Sequence, residues 1–317
     1  MATLIPLFTQ HSRSWRDNRY VYPVVSRRSK GLSVGVNLNP DKVCNFDCVY
    51  CCVDRTTPPT IRTVDLAVLE AELDHLLAVT VSGDLWATPP FDATPPHLRR
   101  LNDVAFSGDG EPTSFKRFGE ACRVAARLLE KHHLHPPTPF SRDPEGELQA
   151  NPQASAPAHD STSDPVKLVV ITNATLFHRP AVKDALAFLD HHHGEIWAKL
   201  DAGTDAYYRT IERTSIPLAR VLANILDAGR ARPIVIQSLF LRLHDIGPTA
   251  DEITAYVGQL NHLKAGGCQI KLVQVYTVAR STAVPECTPI PANELDAISA
   301  RVRAETGLSV ETYYGPG

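Results

Sequence analysis

Residues 32–52 read LSVGVNLNPDKVCNFDCVYCC, and four of the chain's seven cysteines fall in the last nine positions of that stretch. The opening LSVGVNL (32–38) reads as a β-strand. Past Asn39, Pro40 and Asp41 comes a loop on which Cys44, Cys48 and Cys51 have the spacing C-x3-C-x2-C. In parallel α/β architectures the ends of strands are where catalytic loops gather. A strand that runs directly into clustered thiols therefore sets out both the fold class and the place where its chemistry belongs.

Working outward, strand-like runs alternate with helical patterns to the end of the chain, the signature of βα units around a parallel sheet. Five more strands are expected: NDVAFSG (102–108), VKLVVIT (166–172), EIWAKLD (195–201), PIVIQSLF (233–240) and QIKLVQVYT (269–277). Their Val/Ile/Leu runs suit strands covered on both faces. Between them the period is helical, as in Leu66, Leu69, Leu73, Leu76 and Leu77, and again in Phe118, Cys122, Ala125 and Leu129. Thr249 with Glu252 matches a capping box, Gly229 and Gly307 sit where helices end, and Pro217 and Pro291 fit first turns. LSVETYYG (308–315) reads as a further edge strand. Two aperiodic stretches rich in Pro, 86–100 and 135–165, read as surface insertions on a single domain, the second as disordered. The expected organisation is an N-terminal extension (1–31), a core of six βα units (32–307) and a C-terminal edge strand or tail (308–317).

Composition narrows the function classes. Hydrophobic residues make up 43% of the 317 residues and charged residues 21%, as in an ordinary globular chain. Acidic side chains outnumber basic ones, 35 to 32, for a formal charge of -3. That balance argues against a protein built mainly to grip DNA or RNA phosphates. The first twenty residues lack the long apolar segment of a secretion signal, and no run approaches membrane-spanning length. A cytoplasmic location is expected. In that reducing compartment clustered cysteines serve as ligands or catalysts rather than as disulfides.

Three thiolates on one short loop can hold three corners of a [4Fe-4S] cube and leave the fourth iron without a protein ligand. A structural zinc site would want a fourth ligand, often from a distant second pair, and a merely buried set of thiols is a third reading. Cys52, adjacent to Cys51, points the other way in extended backbone and reads as a small packed residue. Cys122 lies on the apolar stripe of a helix, and Cys268 and Cys287 read as core or surface thiols. The histidine runs 191–193 and 132–135 read as helix ends, where cationic side chains suit the macrodipole.

CNFDCVYC resembles the cluster motif of radical S-adenosylmethionine (radical SAM) enzymes, including the aromatic Tyr50 before the third cysteine. The resemblance covers roughly residues 30–305. It implies a partial (β/α)6 TIM-type barrel and a [4Fe-4S] cluster held by Cys44, Cys48 and Cys51. The open iron would bind SAM, and reductive cleavage would give methionine and a 5′-deoxyadenosyl radical that abstracts hydrogen from substrate. Tyr50 would lie near the adenine. SGDGEPT is similar to the family's Gly-Gly-Glu motif, so Gly110 and Glu111 would meet the SAM amino group, with Asp109 standing where a glycine is usual. Asn173, Lys199 and Asp201 would contact the rest of SAM, although Ala174 replaces the glycine of the family's Thr-Asn-Gly strand ending. Gln237, a polar residue in an apolar strand, is expected to face the barrel, and Tyr276 and Arg280 to meet substrate or cap the barrel. A low-potential donor such as flavodoxin or ferredoxin is implied.

The similar branch includes wyosine-synthesis-like Fe–S oxidoreductases. Archaeal wyosine synthases are expected to carry a second cluster on cysteines upstream of the motif, and this chain has none before Cys44. A small-molecule substrate is therefore favoured over tRNA. SRRSKG (26–31) is the densest basic run and reads as a solvated segment, or as a contact for an acidic donor or a phosphate-bearing substrate. The aromatics of WRDNRYVYP before it would cover the barrel's bottom or its mouth.

Overall fold

The computed structural model describes residues 6–8, 13–135, 140–142, 148–150 and 165–315. In chain order it contains β1 (Val21–Ser26), β2 (Gly31–Val36), α1 (Leu66–Val81), β3 (Leu101–Phe106), α2 (Phe118–Lys131), a short hairpin β4 (Phe140–Arg142) and β5 (Leu148–Ala150), then β6 (Lys167–Thr172) and α3 (Pro180–Asp190). It continues with β7 (Gly194–Lys199), α4 (Asp205–Glu212), α5 (Leu218–Ala231), β8 (Ile234–Leu243), α6 (Ala250–Ala265), β9 (Ile270–Thr277), β10 (Cys287–Pro289), α7 (Ala292–Thr306) and β11 (Val310–Tyr313). All six expected parallel strands form. The main sheet runs β1-β2-β3-β6-β7-β8-β9-β11 and curls into a partial barrel. Every pairing from β2 to β11 is parallel, which requires a crossover after each strand and explains the helix between each pair.

The leucines of the expected first helix, Leu69, Leu73, Leu76 and Leu77, are fully buried, as are Cys122, Ala125 and Leu129 on α2. Each such leucine contributes roughly 1.5–3 kcal/mol by leaving water. Gly307 closes α7 in the left-handed conformation (φ 68°), as expected of a residue past a helix end. Pro217 and Pro291 stand at the N-caps, one position before the first turn. The histidine runs do follow the ends of α2 and α3.

Several details differ from expectation. Gly229 lies inside α5, and a methyl group there would come within 2.1 Å of Cys268 Sγ, so it serves a close contact rather than a helix end. Thr249 caps α6 by accepting from Glu252 N, but the Glu252 carboxylate does not turn back to complete the box. It accepts instead from Gly203 N and from Thr204 N and Oγ1, holding the loop between β7 and α4. The stretch 86–100 packs rather than floats: it contains short 3-10 turns, and buried Phe91 meets Trp15 edge-on at 5.6 Å. Apart from β4 and β5, the insertion 136–164 lies outside the described residues, and with it the expectation of disorder. Residues of the N-terminal extension form β1, an edge strand antiparallel to β2, where Pro23 is tolerated. Tyr22 fills the space above Gly35, donates to Ser107 O and lines the mouth, whereas Trp15 packs against Phe91 and Tyr20 donates to Thr63 O.

The barrel interior is layered by strand register. At the floor Ser33 Oγ donates to buried Asp103, and Glu195 accepts from Lys167, Lys271 and Trp197 Nε1. Above it Ile171, Trp197, Val235 and Leu272 are register partners on four adjacent strands. Two residues on, Lys199, Gln237 and Gln274 form the next row. Period two thus puts a polar row directly over an apolar one, facing the cavity at the strands' C-terminal ends.

Burial lifts the Asp103 carboxyl to about 6. The folded chain then keeps a proton that the unfolded chain has lost above about pH 4, so this group's contribution to stability falls as pH rises from about 4 to about 6. Denaturant unfolding of Asp103→Asn should lack that decline, a difference of about 3 kcal/mol between pH 4 and pH 7 relative to the parent.

Candidate functional site

The cysteine loop spans the gap between β2 and α1, and hydrogen bonds pin it on several sides. Asp47 N and Val49 N donate to the carbonyls of Glu212 and Ile211, the last residues of α4, at 3.1 and 2.8 Å. Ala283 N donates to Cys51 O at 2.8 Å, and Cys51 N to Cys48 O at 3.0 Å, closing a turn between the second and third cysteines. Phe46 and Val49 are buried beneath. Asn45 accepts from Asn173 Nδ2 (2.7 Å) and donates to Thr175 Oγ1 (2.6 Å), joining the loop to the end of β6.

The SGDGEPT turn after β3 meets the loop from the other side. A Cβ on Gly110 would lie 2.1 Å from Val43 O and 2.7 Å from Asn39 Cβ, so glycine is required for the backbone of the cysteine loop to sit there. Asp109, where a glycine was expected, accepts from Asn37 Nδ2 and pairs with Arg13, tying the end of β2 to the N-terminal segment. Glu111 is buried. Its carboxylate accepts from Thr113 N and Oγ1, Thr172 Oγ1 and Asn173 N, tying β3 to β6. Burial raises its pKa against the pull of those donors. Ala174 adopts the left-handed conformation (φ 59°) that a glycine would take without strain.

These segments surround a cavity of about 310 Å³ at the C-terminal ends of the strands, within the size range of small-molecule sites. Cys44, Cys48 and Cys51 line it as free, half-buried thiols, together with Tyr50, Gly110, Glu111, Asn173 and Lys199. Gln237, Tyr276 and Arg280 line it too. Among the expected site residues Asp201 is the exception, standing behind the lining. There it accepts from Tyr50 OH (2.5 Å) and Leu239 N (2.7 Å) and pairs with Lys199 Nζ (3.1 Å). Cys52, expected to pack, is instead exposed, on the lining of the same cavity. Cys122, Cys268 and Cys287 are buried in the core.

Beneath the second cysteine lies a group that sequence reasoning passed over. Glu212 is buried, the Cys48 thiol donates to its Oε2 at 2.7 Å, and Tyr50 OH lies 2.9 Å from its Oε1. Burial and the neighbouring Asp201 carboxylate hold Glu212 well above the usual carboxylate range. Burial pushes the Cys44 and Cys48 thiols up as well, Cys48 further because Glu212 faces it. For Lys199 burial works downward, but Asp201, Tyr276 and Glu212 outweigh it and the ammonium is held protonated. The signal in the sequence was the spacing: Tyr208, Ile211 and Glu212 share the buried stripe of α4, so a carboxylate stands where an apolar residue belongs.

The sequence matches no family model and no curated protein. Solved structures do resemble it. A radical SAM methyltransferase from Sphaerobacter thermophilus superposes with a TM-score of 0.55 at 13% identity, over 90% of this chain and 67% of its own. SuiB from Streptococcus suis, bound to S-adenosylmethionine, gives 0.50 at 11% identity over 92% of this chain, which spans only 49% of that protein. The fold is that of radical SAM enzymes. TYW1 with a lysine–pyruvate adduct bound also aligns, over 87% of this chain and 74% of its own, with a TM-score of 0.46 at 14% identity.

Among the described residues no three Cys, His, Asp or Glu side chains converge on one metal ion. A single zinc needs its thiolates on one point at about 2.3 Å, whereas a four-iron cube takes each cysteine on a different iron. Three free thiols on one cavity wall are the donor set that a cube would take, one cysteine to an iron. Gln237 stands in the polar row of the barrel interior. Its Nε2 donates to Gln274 at 2.7 Å, but its buried Oε1 has no partner.

Gly110→Ala should force the turn and the cysteine loop apart. A melting temperature lowered by several degrees, equivalent to about 1–3 kcal/mol, together with reduced iron uptake on reconstitution, is the expected result.

Proposed function

We propose that this chain is a radical SAM enzyme, with Cys44, Cys48 and Cys51 holding a [4Fe-4S] cluster and SAM occupying the adjoining cavity. The observation that carries this reading is the convergence of the three free thiols on one cavity at the mouth of a parallel partial barrel. Clusters of this type supply the electron that cleaves the SAM sulfonium to methionine and a 5′-deoxyadenosyl radical, which takes hydrogen from substrate.

The protein's own part is binding, orientation and exclusion of water. The Gly110 backbone stands at the wall where an ammonium would gain a hydrogen bond, and Glu111, held by Thr113, Thr172 and Asn173, would set the negative charge behind it. Lys199, kept protonated by Asp201, offers a cation to a carboxylate. Tyr50 is locked by Asp201 and Glu212 so that its ring faces the cavity side of the loop in a fixed orientation, with Lys199 Nζ 4.8 Å from the ring centre. The apolar row beneath keeps solvent from entering through the barrel. A low-potential donor of the flavodoxin or ferredoxin type would reduce the cluster. The net acidic charge favours a small-molecule substrate over tRNA.

Anaerobic reconstitution should load about four irons and matching sulfide per chain, and reduction with SAM present should release 5′-deoxyadenosine. Cys48→Ala should abolish both the brown chromophore and SAM cleavage, while Cys52→Ala, at an exposed position, should leave both largely intact. Retention of the chromophore by Cys48→Ala would refute the ligand assignment.

A further inference from the structure

Arg13, Arg27, Arg28, Arg55, Arg280 and Lys199 line the cavity against only two carboxylates, Asp109 and Glu111, in a chain that is acidic overall. Most of these cations are engaged. Arg13 pairs with Asp109, Lys199 with Asp201, Arg55 donates to Lys42 O and Arg27 to Tyr314 O. Glu111 is occupied by Thr113, Thr172 and Asn173. Among the described residues, Arg28 and Arg280 have neither a hydrogen-bond acceptor nor an ion-pair partner.

These two arginines come from opposite edges of the open sheet, Arg28 from the β1–β2 hairpin and Arg280 from just beyond β9. Arg28 is held by aromatic faces, its Cζ 4.9 Å from the Tyr276 ring centre and 5.8 Å from that of Trp197. Stacking of that kind fixes a guanidinium while leaving its edge donors free. Arg27, Arg28 and Arg280 are close enough to repel one another, and burial together with that repulsion brings Arg27 down to about 10. The other groups facing Arg280 are Cys52, Arg13 and Tyr22, none of them a carboxylate. Half-buried like charges without a counter-ion are costly, and an anion in the cavity removes that cost.

We propose that the open side of this cavity binds the phosphate of a small phosphorylated substrate, gripped by Arg28 and Arg280 with Arg27 beside them. The inference rests on the reading of the cavity as a SAM-dependent active site, and it adds the substrate's chemical class. A carboxylate's single charge would offset one free guanidinium. A phosphate monoester carries about -1.5 to -2 charges and three acceptor oxygens, enough for both.

The test uses the reconstituted, SAM-saturated protein titrated with inorganic phosphate and followed by phosphorus NMR, with acetate as competitor and a single-stranded RNA oligonucleotide in a parallel arm. Phosphate should bind about tenfold or more tightly than acetate, and Arg28→Gln/Arg280→Gln should weaken it by about tenfold or more, well beyond any change in SAM affinity. The paired lysine variant, which keeps the charge but not the fork, should fall between, and that keeps the comparison meaningful if the glutamine variant folds poorly. Equal affinity for acetate, an unaltered double variant, an equal fall in SAM affinity, or preferential binding of the RNA would each overturn the proposal. The same preparation is assayed for 5′-deoxyadenosine. Failure to make it refutes the SAM reading, whereas SAM cleavage without phosphate binding refutes only the substrate class.

Discussion

Two backbone hydrogen bonds, from Asp47 N and Val49 N to the last carbonyls of α4, hold the cysteine loop on the barrel. A helix ends with carbonyls that have no partner inside the helix, and here the loop supplies donors for two of the positions nearest that end. The arrangement makes the loop's path depend on where α4 stops. The other end of α4 is held by Glu252 of α6, which accepts from Gly203 and Thr204 in the loop leading into it. Strand register sets the depth of the polar row, and this chain of contacts sets the height of the thiols above it.

Charge inside the site is arranged by the same contacts. Asp201 and Glu212 are both buried near Tyr50, with one ammonium, Lys199, to serve them. Two carboxylates and one cation cannot both ionise cheaply in such a place, and the upward push on Glu212 is the result. Tyr50 OH lies within hydrogen-bond distance of both carboxyl groups, so the ring is fixed between Asp201 and Glu212. Farther out the balance reverses, and guanidiniums gather at the opening without matching acids.

The six parallel strands were legible because doubly covered strands read as continuous Val, Ile and Leu, and the three cysteines because their spacing is so particular. What stayed hidden was tertiary. Glu252 sits in a capping-box pattern, yet Gly203 and Thr204 compete for its carboxylate and win. Gly229 near a helix end looks like a terminator until Cys268 is brought against it. β1 carries Pro23 at its third position, which an edge strand tolerates. Glu212 looked like one more charge on a helix, because nothing local reveals that Cys48 and Tyr50 lie above it. Asp109 stands where the resembled motif has a glycine, and the contacts that occupy it, Asn37 and Arg13, come from the end of the neighbouring strand β2 and from the N-terminal segment.

The pinning of the cysteine loop also bears on assembly. In small metal-nucleated domains, binding the metal and folding the chain are a single equilibrium, and a chelator denatures them. Here the loop already has its neighbours in Ile211, Glu212, Asn173 and Ala283. Were the proposed cluster lost to oxygen, these contacts would leave a standing scaffold, ready to be refilled without the polypeptide having to fold again.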